Sequence, residues 1–181
     1  KNLIAYGNGR SYGDSALNEN KIVDMRKLNK ILSFDEKNAV AVLEAGLLLK
    51  DAIEFFYPKG WFLEVVPGTQ LVTLGGMVAS NIHGKNHVKA GSFKETVNWI
   101  ELINAKGQTK VCSRLKNKEL FDWTFGGMGL TGIVVKVSVK LKKIDTGWIK
   151  QETFFLTNLQ ALINKMDTNT QYEYSVAWVD G

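Results

Sequence analysis

The sequence contains one cysteine, two histidines and no long apolar run. The single thiol, Cys112, excludes a disulfide within the chain and a metal site built from cysteines, and its apolar neighbours indicate a buried structural role. No stretch approaches the roughly 18 consecutive apolar residues that a membrane-spanning helix needs. The N-terminus lacks the basic segment, apolar run and cleavage site of a signal peptide. Because the chain also starts without Met, we interpret it as a piece of a longer protein, and cytoplasmic and periplasmic or membrane-peripheral locations both remain open.

The composition is that of a globular protein with a moderate positive charge. Hydrophobic residues make up 45% of the chain, which is enough for a packed core. The net charge is +5, from 23 Lys and Arg against 18 Asp and Glu. Lysines cluster at 27–30, 114–118 and 140–143, either as solvated strand ends and turns or as a source of attraction for anions such as phosphates. They are not interleaved with aromatics in a nucleic-acid-binding module, so we expect no nucleic-acid partner.

Short strands and helices alternate along the chain. The hydrophobic patterns and turn residues predict helices at 47–60, 74–80 and 117–127, and loop for the remainder of 67–93. They predict strands at 3–7, 21–25, 31–35, 39–46, 62–66, 97–107, 108–113 and 132–144, with hairpins formed by the third and fourth strands and by the sixth and seventh.

The pattern restarts after Asp145 with a strand at 148–156, a helix at 158–166 and a strand at 172–179. We therefore predict two domains. One spans residues 1–145, and residues 146–181 form the first β-α-β segment of a second domain.

The first of three glycine-rich segments is GNGRSYGD, residues 7–14, which follows a predicted strand. Its spacing is G-x-G-x-x-x-G rather than the G-x-G-x-x-G of a Rossmann turn, and no amphipathic helix follows it. A helix N-terminus therefore cannot be the anion site. The alternatives are a tight surface turn and a nest of backbone N–H groups around a pyrophosphate, which glycine permits because it adopts positive φ freely. We favour the nest.

The second segment, residues 127–132, does match G-x-G-x-x-G, but a helix precedes it and a strand follows. A Rossmann fingerprint requires the reverse order, so the match does not indicate a dinucleotide fold. Its glycines, including Gly129 and Gly132, instead indicate either close approach of the backbone to a ligand or a sharp turn into the next strand.

The third segment, residues 75–87, holds both histidines, His83 and His87, within a run rich in Gly, Asn and Lys. Three interpretations remain open. A metal site is disfavoured because no carboxylate lies between Glu64 and Glu95 and two histidines make a poor zinc site. A structural loop and a binding loop that places Asn81, His83 and Lys85 over a ligand are the other two.

Three motifs in this order carry a resemblance to a known family: GNGRSYGDSALN, PGTQLVTLGGMVASNIHGKNHVKAGSF and ELFDWTFGGMGLTGIVVKVSVKL. Together they resemble the vanillyl-alcohol-oxidase-type (PCMH-type) FAD-binding domain, over nearly all of the chain. The resemblance implies an α+β fold in which two small subdomains bind FAD, followed by the start of an α+β substrate domain that covers the flavin.

The resemblance also implies which residues hold FAD. Many relatives bind the flavin covalently through a histidine directly after the first G-x-G, where this sequence has Arg10, so we expect non-covalent FAD. The residues that would contact FAD are Ala5, Tyr6, Gly7, Asn8, Gly9, Arg10, Ser11, Tyr12, Gly13, Asp14, Ser15, Pro67, Gly68, Thr73, Leu74, Gly75, Gly76, Ser80, Asn81, Ile82, His83, Gly129, Gly132 and Ile133.

The activity implied by the resemblance is oxidation of a secondary alcohol of a sugar by hydride transfer to flavin N5. The motifs are most similar to those of prokaryotic oxidases that act on the 2′-OH of a polyprenyl-phosphoryl pentose in cell-wall polysaccharide synthesis. Such enzymes pass the keto product to an NAD(P)H-dependent reductase partner and meet a lipid-linked substrate at the membrane surface.

His83 is the first choice for a catalytic base and Lys85 a weaker one. Alternatives are an alditol or aldonolactone oxidase, a flavin-binding module without oxidase activity, and a non-flavin sugar- or nucleotide-binding protein. We expect this segment alone to be inactive.

Overall fold

The computed structural model describes residues 3–179, which form two separate sheets with helices packed beside them. The small sheet pairs β1 (Ile4–Tyr6) with β2 (Ile22–Asp24) in parallel. The large sheet contains β3 (Ile31–Asp35), β4 (Val40–Glu44), β5 (Trp61–Leu63), β6 (Val97–Ile103), β7 (Thr109–Ser113) and β8 (Ile133–Lys143). Helices that lie beside a mainly antiparallel set of strands make an α+β fold, as expected.

The large sheet is antiparallel and is built around β8. Its order is β3-β4-β8-β6-β7, and β5 also pairs with the far end of β8. Both predicted hairpins, β3–β4 and β6–β7, are confirmed by their registers. In the turn of the second hairpin, the Asn104 side-chain oxygen accepts hydrogen bonds from the backbone N–H groups of Lys106 and Gln108. Local side-chain bonds of this kind explain why the sequence alone located the hairpin.

Within residues 3–179, six α-helices accompany the sheets: α1 (Leu49–Phe56), α2 (Leu74–Ala79), α3 (His87–Ala90), α4 (Phe93–Thr96), α5 (Lys118–Thr124) and α6 (Leu159–Thr168). Fully buried side chains from helices and sheet, including Phe56, Leu74, Phe93, Ile100 and Phe121, form one core. Cys112 belongs to this core, as predicted, and burial raises the pKa of its thiol. Within the described residues, no helix combines the length and apolar character required to cross a bilayer.

Three predicted helical or loop boundaries are wrong. The helix predicted at 47–60 ends at Phe56 and gives way to a 3-10 turn over Tyr57–Lys59, because Pro58 has no N–H to continue the helix. The helix predicted at 117–127 ends at Thr124, before Gly126. The predicted loop after residue 80 contains α3 and α4, which have four residues each and are too short for a periodic pattern to show.

The β-α-β prediction for the C-terminal part is correct only for its helix. Asn158 caps α6 by accepting a hydrogen bond from the Ala161 N–H at 2.9 Å. The segments 148–156 and 172–179 are not strands. A strand needs a partner strand to complete its hydrogen bonds, and neither segment pairs with a strand among residues 3–179. Apolar side chains there remain exposed, such as Phe155 at 96% and Trp178 at 91%. The division into domains at residue 145 stays a prediction.

Candidate flavin site

The first glycine loop, residues 7–15, leaves β1 and returns to β2 without forming a helix. Gly9 and Gly13 adopt φ values of +59° and +63°, in the left-handed region that glycine favours. Residues 9–14 are exposed, and none of their backbone N–H groups donates to an acceptor within residues 3–179. The loop therefore presents several unpaired main-chain donors to solvent, which is the donor set that a pyrophosphate needs.

The start of this loop lies against the N-terminal end of α2. A Cβ atom built on Gly7 would lie 2.5 Å from the Thr73 hydroxyl oxygen, and the Asn8 side-chain amide donates to the Leu71 carbonyl oxygen at 2.8 Å. Thr73 in turn caps α2 by accepting a hydrogen bond from the Gly76 N–H at 3.2 Å. Two segments that are more than 60 residues apart in sequence thus meet at one end of α2.

Glycine allows α2 to sit close to the sheet. The Gly75 N–H donates to the Ala45 carbonyl oxygen at 2.7 Å, and a Cβ on Gly75 would lie 3.1 Å from Ala45. The Leu74 N–H bonds to the Leu47 carbonyl oxygen at 3.0 Å. The predicted FAD contacts Leu74, Gly75 and Gly76 are therefore fixed relative to the large sheet.

The C-terminal end of α2 meets the turn that follows α5. The N–H groups of Gly126 and Met128 donate to the carbonyl oxygens of Val78 and Ala79 at 3.2 and 3.0 Å. Ser80 ends α2, and Asn81 follows with a positive φ of +41°. The α2 helix thus connects the first glycine loop at one end with the second glycine segment at the other.

The segment His83–His87, which we call the histidine loop, alternates between exposed and buried residues. His83, Lys85 and His87 are exposed, whereas Gly84 and Asn86 are buried. The Asn86 amide donates to the Glu64 carbonyl oxygen at 2.8 Å, and this contact fastens the loop to the end of β5. The two imidazole rings lie 5.6 Å apart. The exposed residues of the loop therefore carry two imidazoles and an ammonium group that a ligand can reach.

Ion pairs beside α5 hold the backbone around Asn81. The Asn81 side-chain oxygen accepts from the Lys94 N–H at 3.3 Å, and the Lys94 ammonium lies 2.8 Å from the Asp122 carboxylate. Hydrogen bonds from Lys118 and then Lys94 lower the pKa of Asp122 to about 2. Asp122 is therefore charged at neutral pH and links α4 with α5.

The remaining predicted FAD contacts lie farther along the chain. Ala5 and Tyr6 belong to β1, while Pro67 and Gly68 follow β5 beside the histidine loop, where a Cβ on Gly84 would lie 2.9 Å from the Val66 carbonyl oxygen. Gly129 lies in the turn after α5.

The end of the second glycine segment packs on β6. A Cβ on Gly132 would lie 2.7 Å from the Ile103 carbonyl oxygen, and Ile133 pairs with Ile103 in the sheet. The close contact that Gly132 permits is therefore with the backbone of Ile103. The order helix, glycine turn, strand is confirmed by α5 and β8.

Sequence reasoning missed the structural partners of the site. Leu71, Asn86, Lys94 and Asp122 position site residues, and no motif in the sequence singles them out. Their partners are 13 to 63 residues away, so no local pattern reveals them.

The chain belongs to the FAD binding domain family, whose sequence model matches residues 1–113. FAD is therefore the cofactor, and the loop with its unpaired N–H donors beside α2 fits the pyrophosphate of that group. The identity of the individual FAD contacts stays a prediction.

Among known proteins, the chain is similar to decaprenylphosphoryl-beta-D-ribose oxidase of Mycolicibacterium smegmatis, with 36% identity over 99% of this chain and 40% of the relative. It is 29% identical to L-gulonolactone oxidase of Scyliorhinus torazame over 96% of the chain and 39% of that protein. It is 27% identical to D-lactate dehydrogenase of Anaerostipes hadrus over 66% of the chain and 26% of that protein. The chain spans about two fifths of the length of the first two relatives.

Proposed function

We propose that this chain is the flavin-binding part of an oxidoreductase that oxidises a secondary alcohol of a sugar. The observation that carries the proposal is the arrangement around α2, which places the exposed N–H groups of the first glycine loop at one end and the histidine loop beyond the other. The first can bind a pyrophosphate and the second can contact a substrate beside the flavin. The names of the similar proteins, two oxidases and a dehydrogenase, agree with this class.

The substrate we propose is a polyprenyl-phosphoryl pentose, which would be oxidised at its 2′-OH. The similar protein with 36% identity is named for a decaprenylphosphoryl ribose, and this is the support for the pentose. The exposed Lys85 ammonium adds a cation suited to a phosphate group. Through such a lipid-linked substrate the protein would meet the membrane surface and contribute to cell-wall polysaccharide synthesis.

Bound FAD supplies the acceptor for the hydride that leaves the alcohol carbon. The task of this chain is to hold the alcohol in place and to take the hydroxyl proton, so that the C–O bond becomes a carbonyl as two electrons and two protons leave the substrate. We assign the proton to the His83 imidazole, because His83 is exposed in the histidine loop and an imidazole is the side chain that most often acts as a general base. The keto product would then pass to an NAD(P)H-dependent reductase, and oxygen or a quinone would take up the electrons.

We also propose that FAD is held without a covalent bond. Arg10 occupies the position directly after Gly7-Asn8-Gly9, and a guanidinium group does not form the histidyl bond that a histidine there could make. The exposed loop around Arg10 leaves the side chain free to lie along the pyrophosphate.

Anaerobic mixing of the FAD-loaded full-length protein with substrate tests the assignment. A short-chain polyprenyl-phosphoryl pentose should bleach the flavin absorbance, and an alditol or L-gulonolactone should not. The reverse result would contradict the pentose and favour the second candidate, an alditol or lactone oxidase, for which the 29% identity to L-gulonolactone oxidase is the support.

Substitution of the two histidines identifies the base. His83→Gln should slow bleaching by about 100-fold or more, the usual contribution of a positioned base, with FAD still bound. His87→Gln is the matched variant, because His87 is the other exposed imidazole of the histidine loop. A large loss in His87→Gln with normal bleaching in His83→Gln would contradict our assignment.

A further inference from the structure

The segment 171–175 touches the histidine loop through its backbone. The Ser175 N–H donates to the Lys85 carbonyl oxygen at 2.9 Å. Two residues earlier, the Glu173 carboxylate forms an ion pair with the Lys142 ammonium. The segment thus bonds both to the large sheet and to the loop that carries His83 and Lys85.

Lys142 is a firm anchor because it belongs to the longest strand of the sheet. It lies in β8, opposite Phe62 of β5. Its ammonium group also lies 6.0 Å from the centroid of the Tyr174 ring. Residues on both sides of the Glu173–Tyr174 peptide therefore face the same sheet lysine.

The contact between segment 171–175 and the histidine loop is polar, and it encloses a cavity. A cavity of about 410 Å³ lies between them, and its lining includes Glu64, Lys89, Lys142 and Glu173. Side chains that line such a cavity do not pack tightly against one another, so apolar packing does little to fix the segment here. The ion pair and the backbone hydrogen bond are the contacts that set the distance between the segment and the histidine loop.

Two hydrogen bonds to adjacent residues consequently hold the histidine loop. The buried Asn86 amide donates to the Glu64 carbonyl oxygen at 2.8 Å. The Ser175 N–H donates to the Lys85 carbonyl oxygen at 2.9 Å. Each bond limits movement of the backbone from which the Lys85 side chain leaves the loop.

We propose that Ser175, through its backbone N–H, and Glu173, through Lys142, are positioning residues that hold Lys85 and His83 in place for the sugar phosphate substrate. Neither residue touches the reacting atoms. The proposal rests on the proposed function for its substrate, whereas the contacts themselves do not depend on it. It assigns a role in substrate affinity to a segment outside the residues matched by the FAD-binding family.

Replacement of Ser175 tests the hydrogen bond directly. Ser175→Pro removes the N–H donor, and Ser175→Ala removes the hydroxyl but keeps the N–H, so it is the matched control. In the FAD-loaded full-length protein, Ser175→Pro should weaken binding of a short-chain polyprenyl-phosphoryl pentose by about two- to tenfold, the effect of one net hydrogen bond. FAD affinity should stay within about twofold, and amide hydrogen exchange over residues 83–91 should speed up. Equal exchange and equal substrate affinity in the two variants would overturn the proposal.

If Ser175→Pro does not fold, a second set of variants tests the same proposal. Glu173→Gln should raise KM by up to about fivefold with little change in kcat, as expected for a partly exposed ion pair. The reversed pair, Lys142→Glu with Glu173→Lys, should recover most of that loss, whereas a general effect on stability would not be recovered. Failure of the reversed pair to restore KM would count against positioning by this pair.

Different results would refute the proposed function and the positioning role of Ser175 and Glu173. If the unmodified FAD-loaded protein is not bleached by the pentose, the substrate assignment fails. Faster exchange over residues 83–91 in Ser175→Pro than in Ser175→Ala would still support the contact, and equal exchange would still refute it.

Discussion

Replacement of Gly7 by alanine tests the contact between the first glycine loop and α2. The new Cβ would lie 2.5 Å from the Thr73 hydroxyl oxygen, whereas ordinary contacts begin at 3.4 Å, so the two atoms must separate by about 0.9 Å. If Thr73 rotates away, it loses the hydrogen bond from the Gly76 N–H that caps α2, at a cost of about 1 kcal/mol. If the loop moves instead, its N–H groups move away from the pyrophosphate. Loss of one hydrogen bond to a charged group weakens binding by roughly 10- to 100-fold.

Two quantities report the effect of Gly7→Ala. They are the free energy of unfolding, measured by urea titration, and the FAD dissociation constant, measured by flavin fluorescence. Gly68→Ala is the control for the effect of an added methyl group on stability, since its Cβ would meet nothing within 4 Å, and it should leave the unfolding free energy unchanged or slightly raised. Because Gly68 is itself a predicted FAD contact, this control applies to stability and not to FAD affinity. In a Thr73→Ala background the clashing oxygen is gone, so Gly7→Ala should add little to the destabilisation. Strict additivity of Gly7→Ala and Thr73→Ala, or a Gly7→Ala protein with unchanged stability and unchanged FAD affinity, would refute the contact.

Three further predictions concern the framework of the site. Gly132→Ala should destabilise the protein more than Gly107→Ala in urea titrations, because both have positive φ but only the first places a Cβ 2.7 Å from the Ile103 carbonyl oxygen; equal losses would contradict this. Cys112 should react with a thiol reagent only after unfolding, since burial both blocks it and raises its pKa, and fast labelling of the native protein would disprove the buried position. The pKa of Asp122 is lowered from 3.8 to about 2, so the folded state favours its charged form and this stability is lost as pH falls from about 4 towards 2. Asp122→Asn should flatten the acid side of the stability profile, and an unchanged profile would argue against the two lysine contacts.

Local patterns were enough to predict the hairpins and the long strand. In β6–β7 and β8, alternation of apolar and polar residues and a turn with its own side-chain hydrogen bonds define the structure within a few neighbours. The absence of a helix after the first glycine loop could be predicted for the same reason. These features depend on short-range chemistry that is present in the sequence itself.

The assembly of the site could not be predicted in this way. The contacts of Gly7 with Thr73 and of Asn8 with Leu71 join distant segments, and nothing in either segment specifies the other. The strands expected after residue 145 illustrate the same limit, since their alternation predicts a half-buried strand but a strand requires a neighbouring strand. The motif resemblance identified the FAD family where physical patterns alone left surface turn and phosphate nest as alternatives.

Titration of the full-length protein with FAD, followed by acid precipitation, tests the flavin site most directly. We expect saturable binding of one FAD per chain, a tenfold or larger loss of affinity in Gly7→Ala, and flavin that is released entirely into the acid supernatant. A protein that takes up no FAD would contradict the site in the first glycine loop, and flavin that stays with the precipitate would contradict the non-covalent attachment inferred from Arg10.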